Sequence, residues 1–143
     1  MKTISLNFYG YCLDEDKAEI EDRAGIYCVY AGVYNAATDK VSPRQLLYIG
    51  KAGSLKNRIG NDMHDHFDDW ESLLRYNETL MYTYAFISNA EDRTRAEAAL
   101  IYRYQPPVND IGFERFHHPE TKIVISGVND FFEASFKIPD DDE

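Results

Sequence analysis

Two tripeptides carry phenols at positions where they can act together: Gly25-Ile26-Tyr27 and Tyr48-Ile49-Gly50. On paired antiparallel strands two such tyrosines can stand side by side. Lys51 follows the second tripeptide, Arg58 follows on the next predicted helix, and Glu97 opens the stretch EAALIYRYQPPVN that ends at Asn109. Arginine offers a permanent charge and a planar fork that fits phosphate oxygens. A carboxylate is a hard oxygen ligand, and a single one suits Mg²⁺, which keeps several of its waters. A phenol with a pKa of about 10 is a poor base at neutral pH, and cations at Lys51, Arg58 and a metal would lower it. Each group also has a plainer reading. The tripeptides can be core strands, Arg58 a solvated cation, and Glu97 the partner of Arg93 or Arg103 in a surface salt bridge.

The order and spacing of these pieces resemble the GIY-YIG nuclease superfamily from about residue 25 to 109. Tyr48 to Ile59 (YIGKAGSLKNRI) is similar to the family's second strand, turn and first helix, with Arg58 ten positions after Tyr48. EAALIYRYQPPVN is similar to its glutamate helix and the Pro/Asn segment that ends it. The resemblance implies a divalent-metal-dependent endonuclease or nickase that hydrolyses DNA phosphodiester bonds. It makes Glu97 the ligand of Mg²⁺ or Mn²⁺, Arg58 the clamp on transition-state charge, Tyr27 the general base and Tyr48 an assisting hydroxyl. Lys51 and Asn109 become supporting residues, Asn109 by bridging backbone groups. The run GKAGS (Gly50 to Ser54) is not a Walker sequence and is not read as a nucleotide loop.

Two features depart from the family pattern. One helical turn after Arg58, where the family often has His or Tyr, stands Asp62. His64 and His66 lie just beyond it. His66 is closer to the Arg58 face by helical angle if the helix continues, and either histidine can substitute as a proton-transfer group. Otherwise they are surface histidines. The second departure is the twenty residues, 28 to 47, between the two tyrosines. Residues 35 to 44 hold turn formers and Pro43 and read as an inserted extended loop, which Lys40 and Arg44 equip to touch DNA or a protein.

The elements that must position these groups follow from pattern. Thr3 to Tyr11, Gly25 to Ala31, Gln45 to Gly50 and Thr79 to Ile87 read as strands, and Asp14 to Arg23 as a loop or helical turn. A helix capped by Ser54 begins near Leu55. A second spans Phe67 to Tyr76, its Phe67, Trp70, Leu73 and Leu74 packing into the core. A third runs from Ser88 or Asn89 to Tyr104, before Pro106-Pro107. Lys122 to Ser126 and Phe131 to Ile138 form a late hairpin around residues 127 to 130. The expected fold is α+β: a small, mostly antiparallel sheet flanked by helices, with extra N- and C-terminal strands. The chain reads as one domain over 1–143, with a core at about 25–109, an extension at 110–138 and an acidic tail at 139–143.

The composition, 44% hydrophobic and 14% aromatic, supplies a real core. The net charge of −10 opposes simple polyanion binding, but the charge is uneven. Between Lys40 and Gly60 lie Lys40, Arg44, Lys51, Lys56 and Arg58 with no acid among them, and these five are the candidate DNA contacts. Cys12 and Cys28 make no zinc pattern and read as reduced thiols. No signal peptide or membrane-length apolar run is present, so a cytoplasmic location is expected. Two other readings stand beside the nuclease: a non-catalytic adaptor or binding module on the same fold, and a nuclease that relies on a protein partner for DNA targeting.

Overall fold

A computed structural model describes residues 1–60 and 64–140. The expectation attached to Asp62 and the last three residues of the acidic tail lie outside them. Six strands form one sheet: β1 (Lys2–Leu13), β2 (Gly25–Asn35), β3 (Lys40–Ala52), β4 (Thr79–Phe86), β5 (Thr121–Gly127) and β6 (Ser135–Ile138), in the order β3-β2-β4-β1-β5-β6. Among the described residues three helices accompany it: α1 (Leu55–Ile59), α2 (Phe67–Ser72) and α3 (Ala90–Tyr104), with a 3-10 turn at Asp14–Glu19.

This overturns the expected small sheet flanked by helices. The sheet is mixed and curled into a half-barrel, and the fold is 40% strand against 23% helix. The reason lies in β1. Its even residues Ile4, Leu6 and Phe8 are buried, and β1 sits inside the sheet, antiparallel to β4 and parallel to β5. The terminal strands are therefore built into the sheet rather than added to its margin.

The sheet buries both faces unequally. On one, Ile4, Leu6 and Phe8 join Ile26, Cys28, Ile123, Ile125 and the buried stripe Ala96, Ala99, Leu100 and Ile101 of α3. Each fully buried large side chain there contributes about 1.5–3 kcal/mol. On the other, Tyr27, Val29 and Tyr82 pack with Leu55 and Ile59 of α1 and Trp70 of α2. Cys12 and Cys28 are free thiols on opposite faces.

The inserted loop expected at 35–44 is a strand extension. β2 and β3 pair as far as Asn35 opposite Lys40, leaving a short turn. Pro43 is accommodated because β3 is an edge strand, where a missing N–H breaks no ladder. Helix α2 is shorter than expected and stops at Ser72. Trp70 is core, but Leu73 is exposed, and Asn77 turns the chain with a positive φ of 66°. At β1 the pairing with β4 shifts register between Tyr9 and Cys12, around Gly10 with φ 140°. This bulge puts Tyr9 and Tyr11 on opposite faces.

Candidate functional site

The hairpin of β2 and β3 sets Tyr27 opposite Gly50 and Tyr48 opposite Val29. Tyr27 is buried and its ring lies across Gly50, where any Cβ would overlap the ring carbons and hydroxyl. The missing side chain lets Tyr27 lean toward β3, and the two phenol rings stack with centroids 6.1 Å apart at 28°. Gly25 has a parallel reason: a Cβ there would run into the carbonyl of Ala85 on β4 and meet Leu55.

Helix α1 is short but well fixed. The Ser54 hydroxyl accepts from the Asn57 N–H at 3.2 Å and donates to Asp22 at 2.5 Å. Leu55 and Ile59 are buried against the sheet, and Arg58, between them, stands near enough to the Tyr27 hydroxyl to favour its ionised form.

A second group acts on the same oxygen. His64 is buried, and its Nε2 lies 2.7 Å from the Tyr27 Oη. Its Nδ1 accepts the His66 backbone N–H at 3.0 Å. Burial first, then Arg58 and His66, pushes the His64 pKa down to about 4, so the ring is neutral. A neutral imidazole that accepts at Nδ1 carries its proton on Nε2. His64 therefore donates to Tyr27. The sequence singled out His66 for this place. His66 instead faces Asp69, with Nδ1 to Oδ2 at 3.0 Å, and its ring packs on Tyr48 at 5.1 Å. The helical-angle argument fails because α1 ends at Ile59 and Gly60. Nor is His64 a surface residue; the Trp70 ring lies 4.4 Å from it.

The phenols are less acidic than the sequence suggested. Tyr27 is pushed up from its ordinary value by burial, then by Tyr48, with Arg58 opposing and Glu97 adding to the rise. Tyr48 is raised by burial and by Glu97, again with Arg58 opposing. Desolvation outweighs the cation that was expected to lower them.

Along the outer edge of β3, side chains and backbone from elsewhere complete the ladder. Asn109, itself buried, accepts from the Ile49 N–H and donates to the Ile49 carbonyl, both at 2.9 Å. Val108 N–H donates to Leu47 O at 3.0 Å. Glu97 accepts from the Lys51 N–H. The chain matches no family model, no curated protein and no solved structure. Burial raises the Glu97 pKa, and Lys51 offsets this only in part. A half-buried carboxylate whose charge is incompletely compensated is a fitting ligand for a divalent cation that needs one protein oxygen. Among the described residues there is no group of three or more His, Cys, Asp or Glu that could hold a metal alone.

Of the five candidate DNA contacts, Arg58 and Lys51 lie at this cluster, and Lys51 Nζ donates to Thr94 Oγ1 at 2.9 Å. Lys56 lies close by but is tied to the Ala18 carbonyl at 2.8 Å. Lys40 and Arg44 are exposed and remote. They sit ten and six residues along β3 from Gly50, on the order of 33 and 20 Å at about 3.3 Å per residue. His64 was weighed beside His66 and placed second to it, and Thr94 had nothing in the sequence to mark it. No helix among the described residues is long and apolar enough to cross a membrane.

Proposed function

We propose that this chain is a divalent-metal-dependent nuclease of the GIY-YIG type acting on DNA phosphodiester bonds. The observation that carries the reading is the convergence of Arg58 and His64 on the buried Tyr27 oxygen. Both groups favour the ionised form of the phenol, opposing the burial and the Glu97 charge that raise its pKa.

In this reading Glu97 holds the cation, which when bound would draw charge from a phosphoryl oxygen. Arg58 binds the same phosphoryl group and gains strength as its negative charge grows. With a cation at Glu97 offsetting the charge that raises its pKa, the Tyr27 phenol would release its proton to solvent; the phenolate then accepts the proton of the attacking water at Oη, while His64 Nε2–H and Arg58 keep the oxygen anchored. The water oxygen bonds to phosphorus, the bond to the leaving oxygen breaks, and that oxygen takes a proton from solvent. Tyr48 packs against Tyr27, His64 and His66 and holds the rings in place. Because the chain is acidic overall, a protein partner that supplies DNA targeting belongs to this reading.

The test is Mg²⁺-dependent cleavage of supercoiled, linear, branched and single-stranded DNA, with binding measured in Ca²⁺. Arg58→Ala should bind within a few-fold of the parent and cut slower by on the order of 10² or more. Arg58→Lys should recover part of the rate. Glu97→Gln, which still accepts from the Lys51 N–H, should fold normally and not cut. Parental cleavage rates in Arg58→Ala at saturating DNA would refute the mechanism. No cleavage by the parent on any substrate would leave a binding module.

A further inference from the structure

The face of the sheet that carries Tyr27 continues past it. Tyr84 on β4 is the direct cross-strand neighbour of Tyr27, and Tyr9 on β1 is the direct neighbour of Tyr84. Cross-strand partners share a face. Phe86, opposite Gly25, completes a patch of three rings with centroids 5.5 to 6.2 Å apart. The Arg23 guanidinium lies 3.7 Å from the centre of the Phe86 ring. Tyr9 is 47% exposed, and Tyr84 and Phe86 are half-buried. The Gly10 bulge keeps Tyr9 on this face while sending Tyr11 to the other.

Beyond Tyr9 the same face carries the exposed Thr3, Ser5 and Asn7 of β1 and, on β5, Ser126 and the half-buried Val124. Farther out, Lys122 and Lys137 are directly opposed on β5 and β6. Like charges in register repel, and among the described residues neither lysine has an acid partner. Glu21, 3.5 Å from Arg23, is the acid at the patch. An open surface that sets rings beside a guanidinium, with an unneutralised cation pair farther along, suits a polyanion that also carries flat apolar faces.

We propose that Tyr9, Tyr84 and Phe86 form a stacking platform for the unpaired bases of a single-stranded segment next to the bond to be cut. This rests on the nuclease reading and gives it a substrate class: nucleic acid with a single-stranded stretch. Tyr9 lies two strands from Tyr27, about 10 Å. That is about three nucleotides at a stacked spacing of about 3.4 Å. A base pair inside a duplex presents no face to such a platform, so the surface selects unpaired bases.

The test is equilibrium binding of the full chain in Ca²⁺ to fluorescent dT12 and to a blunt-ended two-strand DNA duplex. Tyr9→Ala should weaken dT12 binding roughly five- to a hundredfold and leave duplex binding unchanged. Tyr9→Phe should keep both. In Tyr9→Trp, dT12 but not the duplex should quench the new indole. Lys122→Gln with Lys137→Gln should lower the salt slope for dT12 by about 1.4. The proposal is overturned if the parent does not bind dT12, if Tyr9→Ala changes nothing, or if it weakens both probes equally. An unchanged salt slope overturns the assignment of the two lysines. Binding is read without cleavage. Tyr9-dependent dT12 binding with no Mg²⁺-dependent cutting would therefore refute the nuclease reading while leaving the platform standing.

Discussion

Replacing Asn109 by alanine should strip β3 of the clamp behind the YIG tripeptide. Asn109 makes two bonds of 2.9 Å to one residue, satisfying both the N–H and the carbonyl of Ile49. Ile49 is buried and β3 has no strand on that side. Truncation leaves two backbone groups without partners. Each such group costs about 1–3 kcal/mol, and water entering the vacated space recovers part of that. The net loss should be about 2–4 kcal/mol. With a urea slope of about 2 kcal/mol/M, the midpoint should fall by about 1–2 M. Asn109→Asp keeps the acceptor for the Ile49 N–H but places an anion against the Ile49 carbonyl, so it should also destabilise. Urea unfolding followed by circular dichroism measures both. A loss below about 0.5 kcal/mol in Asn109→Ala, at unchanged slope, would refute the claim that this side chain holds the strand.

Two further outcomes follow from the packing and charge of the site. Gly50→Ala should cost about 1–3 kcal/mol, as overpacking does, and combining it with Tyr27→Ala should cost less than the sum of the two. Purely additive losses in thermal unfolding would mean the ring does not rest on Gly50. His64 is neutral when folded, with its pKa lowered to about 4, and near 6.5 when unfolded. Below about 6.5 the unfolded chain therefore takes up the proton first. The stability this group contributes is complete above that pH and is lost as pH falls toward 4. Allowing for partial solvation, the loss should be roughly 1–2 kcal/mol. Denaturant midpoints from pH 4.5 to 7.5 should show this slope in the parent and a flatter one in His64→Phe; identical slopes would refute it.

What was legible in the sequence is what depends on near neighbours. Ser54 and Asn89 cap α1 and α3 through bonds to residues three positions on, and such offsets are visible in a string of letters. The two glycine-tyrosine tripeptides were visible as motifs, but the reason for Gly50 was not, since it is the ring of a residue on another strand. Pro43 and its turn-forming neighbours read as a loop because nothing local says that β3 lies at an edge where proline is harmless. The alternation of Ile4, Leu6 and Phe8 marks a strand without naming its partners, so the sheet was expected to be smaller than it is. His64 was placed second to His66 because its partner Tyr27 lies 37 residues away and no local spacing reveals it. The acidity of Tyr27 was misjudged because cations can be counted from sequence, whereas desolvation cannot.

The central place of β1 has a consequence for how the chain is made. Residues 2–13 leave the ribosome long before one of their two ladder partners, β5, which begins at Thr121. Strands β2, β3 and β4 can pair early because their connections are short, and β1 can join them along β4. Its other side, with Ile4, Leu6 and Phe8 on the adjoining face, must wait for most of the chain to follow. Pairings of such long sequence separation form slowly and leave apolar strand margins open to other chains. Slowed translation or truncation before residue 121 should therefore favour aggregates seeded by the first strand, with residues 25–104 already in order.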